Sequence, residues 1–220
     1  MNYKRITLIC GHYGSGKTNI AVNMAFDLKR AYERVAIADL DIVNPYFRSK
    51  DSGPELSAAG IRLIVSEYAN TNLDIPALPQ EMYAIVDDKE LVSVVDVGGD
   101  DRGAYALGRL SPAIREEDDY DMFLVVNRYR PLTPDAGSTI EVMHEIEEAA
   151  GLSFTGIINN SNLGAETTAE DVLASREYAQ EIANLSGLPL VLTTAEESVA
   201  ASLQGVIKNL FPMHLQKRPV

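Results

Sequence analysis

A glycine-rich loop near the amino terminus carries the residue types that bind a polyphosphate. Residues 11–18 match the pattern G-x-x-x-x-G-K-S/T, in which the glycines let consecutive backbone N–H groups point inward. The lysine of the pattern, here Lys17, reaches the β- and γ-phosphates, and the hydroxyl of Thr18 can ligate Mg²⁺. The motif predicts a nucleotide site built from these residues: Gly11, His12, Tyr13, Gly14, Ser15, Gly16, Lys17, Thr18 and Asn19.

The segments on both sides of this loop are typical of a phosphate site. An apolar run of the β type, residues 6–10, comes directly before it, and residues 17–31 have helical spacing, with Ile20, Met24 and Leu28 four apart on one face. A helix that begins at the loop directs its amino terminus at the phosphates, where unpaired N–H groups and the helix dipole favour negative charge. The alternative is a glycine-rich turn that binds nothing.

Two aspartates follow the second predicted strand. Asp39 and Asp41 are two residues apart, so on an extended backbone their carboxylates point the same way. One can approach the shell of a bound Mg²⁺ while the other orients an attacking water, which is the division of work that phosphoryl transfer requires. Lys17, Asp39 and Asp41 are therefore the predicted catalytic residues. The alternative for the two aspartates is a turn-forming or helix-capping pair.

A third aspartate ends the fourth predicted strand. Asp96 follows the apolar run at residues 91–95 and precedes Gly98 and Gly99. A carboxylate in this position can hold Mg²⁺ through its water shell, and the glycines allow the next loop to sense the γ-phosphate. Thr18 and Asp96 are the predicted Mg²⁺ site. Residues 100–102 either belong to a switch loop or are simply exposed to solvent.

The sixth predicted strand ends in an asparagine, Asn159. Its amide offers a donor and an acceptor together, which fits the edge of adenine. The guanine-reading pattern N-K-x-D is absent from residues 127–130 and 159–162, so ATP is favoured over GTP. Asparagine also fills turns after strands, and that is the alternative for Asn159.

The elements that must position these residues are predicted from apolar runs separated by helical patterns. The apolar runs are continuous, which is typical of strands that are buried on both faces. Right-handed crossovers between parallel strands place helices on both sides of the sheet. Ligands of such sheets bind beyond the carboxyl ends of the strands. The predicted strands are residues 6–10, 35–38, 61–65, 91–95, 122–126, 154–158 and 188–192. The predicted helices are residues 17–31, 76–87, 104–117, 134–150, 169–186 and 196–210, and residues 211–220 form a candidate tail.

Size and composition indicate one soluble domain over residues 1–220. No apolar run of the chain approaches the roughly 18 residues that suggest a membrane span. The first residues lead into a strand rather than a signal sequence, so a cytoplasmic location is expected. The single cysteine, Cys10, excludes an internal disulfide and is expected to be a buried filler. The net charge of −13 disfavours direct binding to nucleic acid or to anionic lipid.

Four segments together resemble the MinD/ParA/CobQ superfamily of P-loop ATPases: residues 11–18, 38–41, 95–99 and 158–160. The resemblance implies a three-layer α/β/α P-loop NTPase fold with a mainly parallel sheet of seven or eight strands. It implies ATP and Mg²⁺ as ligands, and ATP-dependent dimerisation in many members. By position it gives these roles: Lys17 and Thr18 serve phosphate and Mg²⁺, Asp41 the hydrolytic water, Asp96 the metal shell and Asn159 the base.

The phosphate loop departs from many members of that superfamily at its second position. Those members carry a lysine there that reaches the nucleotide of a partner subunit, whereas this chain has His12, followed by Tyr13 in place of glycine. A neutral imidazole supplies no permanent cation, although His12 could protonate beside a phosphate. Alternatively, His12 merely lines the loop. Three arginines could substitute as a charge clamp: Arg48, Arg102 and Arg128.

Three functions are compatible with these residues. The leading hypothesis is an Mg²⁺-dependent ATPase whose loops at residues 39–53 and 96–103 change with the nucleotide and couple hydrolysis to a protein partner or to a second copy of the chain. The alternative is an ATP-dependent kinase or ligase of the dethiobiotin or cobyrinate synthetase type, with a small-molecule acceptor near Asp41, Tyr46, Arg48 and Asp100. Membrane anchoring by a helix face that carries Leu203, Val206, Ile207 and Leu210 is disfavoured against core packing of the same residues.

Overall fold

The computed structural model describes residues 3–40, 52–65, 78–99 and 101–215, without the side chains of residues 101 and 102. Within these ranges the chain forms one sheet covered by helices. The strands are β1 (Ile6–Cys10), β2 (Val35–Leu40), β3 (Arg62–Val65), β4 (Val92–Val97), β5 (Tyr120–Val126), β6 (Gly156–Asn159), β7 (Leu190–Glu196) and β8 (Leu210–Met213). The α-helices are α1 (Lys17–Lys29), α2 (Gly53–Ala58), α3 (Ala84–Asp87), α4 (Asp101–Gly108), α5 (Ser111–Glu117), α6 (Ala136–Ala150), α7 (Ala169–Ala174), α8 (Arg176–Ser186) and α9 (Glu197–Leu203).

The sheet is parallel throughout, with the strand order β3-β2-β4-β1-β5-β6-β7-β8. The first strand, β1, lies between β4 and β5. The carboxyl ends of the strands therefore share one edge, which is where ligands bind in sheets of this kind. The prediction of a mainly parallel sheet of seven or eight strands is confirmed, and each of the seven predicted strands overlaps an observed one.

Two apolar layers, one on each face of the sheet, form the core. Ile9 and Val94 pack with the apolar face of α1 in one layer, whereas Leu8 and Val95 belong to the other layer, with residues of α4 and α6. Successive side chains of a strand point to opposite faces, so both faces of the central strands are buried. This double burial explains the continuous apolar runs in the sequence and confirms the three-layer α/β/α prediction.

The predicted helix over residues 169–186 is two helices. The chain breaks between α7 and α8 at Ser175, which is fully buried. Its hydroxyl donates to the carbonyl oxygen of Val172 (2.7 Å) and accepts from the side-chain amide of Asn159 (2.9 Å). The helical spacing of apolar residues continues from α7 into α8 because both helices bury an apolar face. The sequence pattern therefore did not reveal the break between them.

Two further helix predictions need correction. The predicted helix over residues 104–117 is divided into α4 and α5, and Pro112 lies in the first turn of α5, where proline is tolerated although it could not continue a preceding helix. The predicted helix over residues 76–87 is wrong for much of its length, because Gln80–Tyr83 form a 3-10 turn and only Ala84–Asp87 are α-helical. Residues 76 and 77 lie outside the described part, and the six-residue helix α2 was not predicted.

The predicted helix over residues 196–210 ends early and is followed by a strand. Helix α9 ends at Leu203, and the backbone then passes through Gly205 with a φ of 78°. A left-handed φ ends a helix and favours glycine. Residues 210–213 form β8 at the edge of the sheet, and Pro212 is tolerated there because an edge strand has one side without strand partners.

The same segment bears on the membrane-anchoring alternative. The four apolar residues that would form the anchoring face do not share a helix, since α9 ends at Leu203. Leu203 and Ile207 are buried in a small cluster with Val172 and Ala195, so core packing accounts for them. No helix within the described ranges is long and apolar enough to cross a membrane.

A buried ion pair stabilises the end of the sheet opposite the strand carboxyl ends. Arg5 is 8% exposed and pairs with the carboxylate of Glu117. Its guanidinium also donates to the carbonyl oxygens of Ile85 (2.8 Å), Asp88 (3.2 Å) and Leu91 (3.0 Å). The hydrogen bonds from Arg5, and less strongly those from Lys89, hold the pKa of Glu117 below its ordinary value.

We expect Glu117→Gln to lower the free energy of unfolding by about 2 kcal/mol at pH 7, because Arg5 loses a charged hydrogen-bond partner. A carboxyl whose pKa is depressed in the folded state stabilises the protein above its unfolded pKa of about 4.3, and the stabilisation is lost as the pH falls through the lower folded pKa. The difference between the variant and the wild type should therefore shrink below about pH 4. Urea unfolding followed by circular dichroism at neutral and acidic pH measures it.

The neighbouring Glu116→Gln is the matched control, because Glu116 is exposed and exposed substitutions usually change stability by less than about 0.5 kcal/mol. Equal effects of the two variants, or a difference that does not depend on pH, would contradict the role of the ion pair.

Candidate nucleotide-binding site

The loop between β1 and α1 has the tight backbone that its glycines predict. Gly11 has a φ of 145°, and a Cβ added there would lie 2.5 Å from the carbonyl oxygen of Val125 in β5. Gly16 has a φ of 90°, and a Cβ added there would lie 2.3 Å from the side-chain nitrogen of Asn160. Only glycine permits these backbone angles together with such close neighbours. The loop is thereby held against the carboxyl ends of β5 and β6.

Helix α1 begins at Lys17, so the first turn of the helix faces the loop. The side chains of Lys17 and Thr18 are buried, and the ammonium of Lys17 donates to the carbonyl oxygen of His12 (3.3 Å). This bond curls the lysine back over the loop, where its charge lies beside the inward-facing backbone. The arrangement is that of an anion site at a helix amino terminus.

The single thiol next to the loop is a packed side chain. Cys10 is fully buried at the end of β1, and burial raises the pKa of its thiol far above the ordinary value. The charge of Lys17 acts in the opposite direction, and that of Asp96 raises the pKa further. The buried position agrees with the expectation of a small apolar filler.

Two of the three predicted carboxylates lie side by side. Asp39 of β2 and Asp96 of β4 are register partners in adjacent strands, and both are buried. Ile37 lies two residues before Asp39, and Val94 lies two residues before Asp96; both apolar side chains pack with α1. Side chains two apart on a strand share a face, so both aspartates point to the side of the sheet that α1 covers. Asp41 lies outside the described residues, as do Tyr46, Arg48 and Asp100 of the predicted acceptor pocket.

The loop after β4 touches the phosphate loop directly. A Cβ added at Gly99 would lie 2.6 Å from the backbone nitrogen of Tyr13 and 2.9 Å from the ammonium of Lys17. Only a residue without a side chain fits between these atoms. The strand that carries Asp96 is therefore in contact with the phosphate loop within three residues of the aspartate.

A cavity of about 620 Å³ opens beside the loop. Its volume lies in the range of small-molecule sites, about 300–1,000 Å³. One wall is formed by the loop and the start of α1, and the other by the loop after β6 and the end of β7. The predicted residues that line it are Tyr13, Gly14, Gly16, Lys17, Thr18 and Asn19, and they are joined by Arg130, Asn160, Ser161, Asn162, Thr167, Thr194 and Glu196, among others.

The predicted base-reading residue, Asn159, points away from this cavity. Its side-chain nitrogen donates to Ser175 (2.9 Å), and its oxygen accepts from the backbone and hydroxyl of Ser161. The next residue, Asn160, lines the cavity instead, donates to the carbonyl oxygen of Ser15 (2.6 Å) and accepts from Thr194. The sequence held a signal for this, because Ile158 packs on the face of α1 and side chains alternate along a strand.

We expect Asn160→Ala to weaken nucleotide binding about tenfold, because the phosphate loop loses the bond that connects Ser15 to β6 and β7. Isothermal titration calorimetry measures the affinity. Asn159→Ala is the matched control, since it removes the same amide one residue earlier and on the opposite face of the sheet. It should lower the melting temperature and leave the affinity within about threefold of wild type. The reverse pattern would assign base recognition to Asn159, as the sequence predicted.

The other side chains near the loop that could carry a positive charge differ in their surroundings. Tyr13 is 54% exposed, and His12 is partly exposed with its ring nitrogen near the carbonyl oxygen of Tyr13 (3.2 Å). Arg128, one of the proposed charge clamps, donates to the carbonyl oxygen of Ala174 at the end of α7 (2.6 Å). The side chains of the other two, Arg48 and Arg102, lie outside what the structure describes. Arg130, which the sequence analysis did not consider, lines the cavity.

Comparison with solved structures finds several proteins of similar fold. The chain is similar to the signal recognition particle 54 kDa protein of Aeropyrum pernix, solved with GDP (TM-score 0.53, 17% identity, 86% of this chain and 41% of that chain). It is also similar to FtsY of Thermotoga maritima (TM-score 0.57, 17% identity, 87% and 62%) and to chloroplast FtsY of Physcomitrella patens (TM-score 0.53, 17% identity, 88% and 59%). The chain spans less than two thirds of each of these proteins, and at this identity the likeness is one of fold.

Sequence comparison gave one family. No curated protein matches the chain. The family model described as the CobQ/CobB/MinD/ParA nucleotide-binding domain matches residues 6–191, a range that contains the phosphate loop, both buried aspartates and the loop after β6.

Proposed function

The chain belongs to the CobQ/CobB/MinD/ParA family of nucleotide-binding domains, and we propose that it is an Mg²⁺-dependent ATPase of the MinD/ParA type. The observation that carries the proposal is the convergence of three features at one edge of the sheet. A phosphate loop at a helix amino terminus, two register-paired aspartates and a cavity of nucleotide size meet there. Each feature alone also occurs in proteins that bind no nucleotide, but together they provide what phosphoryl transfer to water requires.

The residues of the site fit Mg²⁺ and a polyphosphate. Thr18 and Asp96 offer hard oxygen ligands, which Mg²⁺ prefers, and Mg²⁺ when bound neutralises charge on the phosphate oxygens. The hydroxyl oxygen of Ser15, in the loop, is buried without a hydrogen-bond partner among the described residues. In the proposed roles Thr18 ligates the metal, Asp96 holds it through water, and Lys17 neutralises the terminal phosphates. Asp41 orients the attacking water, with Asp39 beside it.

The cavity supports ATP over GTP. Guanine presents two adjacent N–H donors, which a carboxylate with its two acceptor oxygens satisfies best. Among the described residues that line the cavity the only carboxylate is that of Glu196. It already accepts from the hydroxyl of Ser198 and from the backbone nitrogen of Ser198 (3.0 Å) at the start of α9, and these bonds lower its pKa. The uncharged polar side chains that line the cavity are amides and hydroxyls, which suit adenine.

The surface around the mouth of the cavity supports a partner. Four large apolar side chains are exposed on loops and helices at the carboxyl edge of the sheet: Tyr13 (54%), Tyr105 (65%), Leu132 (66%) and Leu163 (47%). Tyr13 also lines the cavity, and exposed apolar side chains beside a binding site are a feature of interaction surfaces. In the proposed function either a second copy of the chain or a protein partner covers this edge, engaged according to the bound nucleotide.

Phosphate release by the purified full-length protein tests the proposal. We expect slow turnover with Mg²⁺ and ATP, little with Mg²⁺ and GTP, and none when the metal is chelated. Size-exclusion chromatography with light scattering, with ADP and with a non-hydrolysable ATP analogue, tests the dimer. An absence of ATP binding by calorimetry would overturn the proposal. Tight ATP binding without turnover, followed by turnover on addition of a metabolite, would instead establish a small-molecule kinase or ligase.

A further inference from the structure

Arg130 brings a second positive charge to the phosphate loop from another part of the chain. It follows β5, in a turn closed by hydrogen bonds from its backbone nitrogen to Asn127 (3.2 Å) and from Thr133 to its carbonyl oxygen (3.3 Å). A Cβ added at Gly14 would lie 3.7 Å from Nε of Arg130 and 4.0 Å from its central guanidinium carbon. The guanidinium therefore lies against the middle of the loop and lines the cavity.

The guanidinium of Arg130 lacks the carboxylate partners that Arg5 and Arg34 have. Its Nε is buried without a hydrogen-bond partner, and no carboxylate of the described residues pairs with it. By contrast, Arg5 pairs with Glu117, and Arg34 pairs with two carboxylates. The chain carries 32 acidic residues, so carboxylates are abundant. A buried donor without a partner is costly, and here it lies in the wall of an anion site.

We propose that Arg130 binds the polyphosphate of the nucleotide from within the same chain. The inference rests on the proposed nucleotide site and adds a residue to it. In the described part of the cavity wall Arg130 and Lys17 are the cationic side chains, and His12 is no permanent cation. Arginine suits this role because its planar fork can donate two parallel hydrogen bonds to phosphate oxygens. The charge is thus supplied without a second subunit.

Arg128 provides a matched control two residues away. Its guanidinium donates to the carbonyl oxygen of Ala174 (2.6 Å), and it does not line the cavity. Arg128→Gln and Arg130→Gln remove the same charge from the same loop, so a difference between them reports position rather than net charge.

Isothermal titration calorimetry with ADP and with inorganic pyrophosphate tests the proposal. Arg130→Gln should bind both ligands about 10- to 100-fold more weakly than wild type, the loss expected for charged hydrogen bonds. Arg130→Lys should recover part of the affinity, and Arg128→Gln should remain within about threefold of wild type. Without ligand, the melting temperature of Arg130→Gln should be no lower than that of the wild type, because Nε of Arg130 has no hydrogen bond to lose. A merely structural role of Arg130 would lower it.

Equal affinities of Arg130→Gln and wild type for both ligands would overturn the inference. If Arg130→Gln does not fold, the affinities of Arg130→Lys for ADP and pyrophosphate decide, because loss of the bidentate fork should weaken both. Affinities identical to those of the wild type would equally overturn the inference. Failure of the proposed function has a different signature. A wild-type protein that binds ADP but hydrolyses no ATP would refute the ATPase and leave the effect of Arg130→Gln on ADP affinity intact.

Discussion

Lys17→Ala is expected to lower ATP turnover by about 10²- to 10³-fold, the loss typical of removing one preorganised donor that stabilises developing charge. The ammonium of Lys17 is buried and already held over the loop by the carbonyl oxygen of His12, so it needs no rearrangement to meet the terminal phosphates. Preorganised charge in a water-poor site is worth far more than charge in solvent. Phosphate release and calorimetry with ATP measure the two consequences, slower turnover and weaker binding.

Lys29→Ala is the control, because Lys29 lies at the other end of the same helix and its ammonium bonds to the carbonyl oxygen of Glu33. It removes the same charge, so its turnover should stay close to wild type. Lys17→Ala protein that retains a third or more of the wild-type turnover would refute the proposed role, provided that its circular dichroism spectrum is that of a folded protein.

The sheet could be predicted from the sequence because its strands are buried on both faces. Continuous apolar runs identified seven strands, whereas β8 escaped because it is a four-residue edge strand that contains Pro212. Proline is rare inside strands but is tolerated at an edge, so Pro212 made this short segment look like a tail. The breaks in the predicted helices were also missed. The spacing of apolar residues indicates which face of a helix is buried, but it does not show whether the backbone continues as one helix.

The site was predictable only where its residues are neighbours in sequence or end a strand. The phosphate loop is a local motif, and Asp39 and Asp96 end strands that the apolar runs had already identified. Asn160 lines the cavity, whereas Asn159, the residue predicted from the sequence, does not, because the two side chains point to opposite faces of the sheet. Arg130 was missed because its side chain contacts the loop at Gly14 only in the folded structure. The two residues lie more than 100 residues apart in the sequence.

Contact between the strand that carries Asp96 and the phosphate loop leads to the second large expected effect. Gly99→Ala would place a methyl group 2.6 Å from the backbone nitrogen of Tyr13 and 2.8 Å from its Cα. Backbone atoms cannot move aside as the end of a flexible side chain can, so one of the two loops must shift. We expect the free energy of unfolding to fall by about 1–3 kcal/mol, the usual cost of overpacking. We expect ATP turnover to fall about 100-fold, since displacement of a reacting group by about 1 Å has this effect.

Gly53→Ala distinguishes a specific clash from a general effect of replacing glycine, because a Cβ added at Gly53 would make an ordinary contact of 3.5 Å with Leu63. Its turnover should stay within about threefold of wild type. If Gly99→Ala is stable but turns over slowly, the packing of the two loops matters for the chemistry itself. If it turns over normally, the two loops must separate during the cycle, and Asp96 and Lys17 cannot act on the phosphates in the arrangement described.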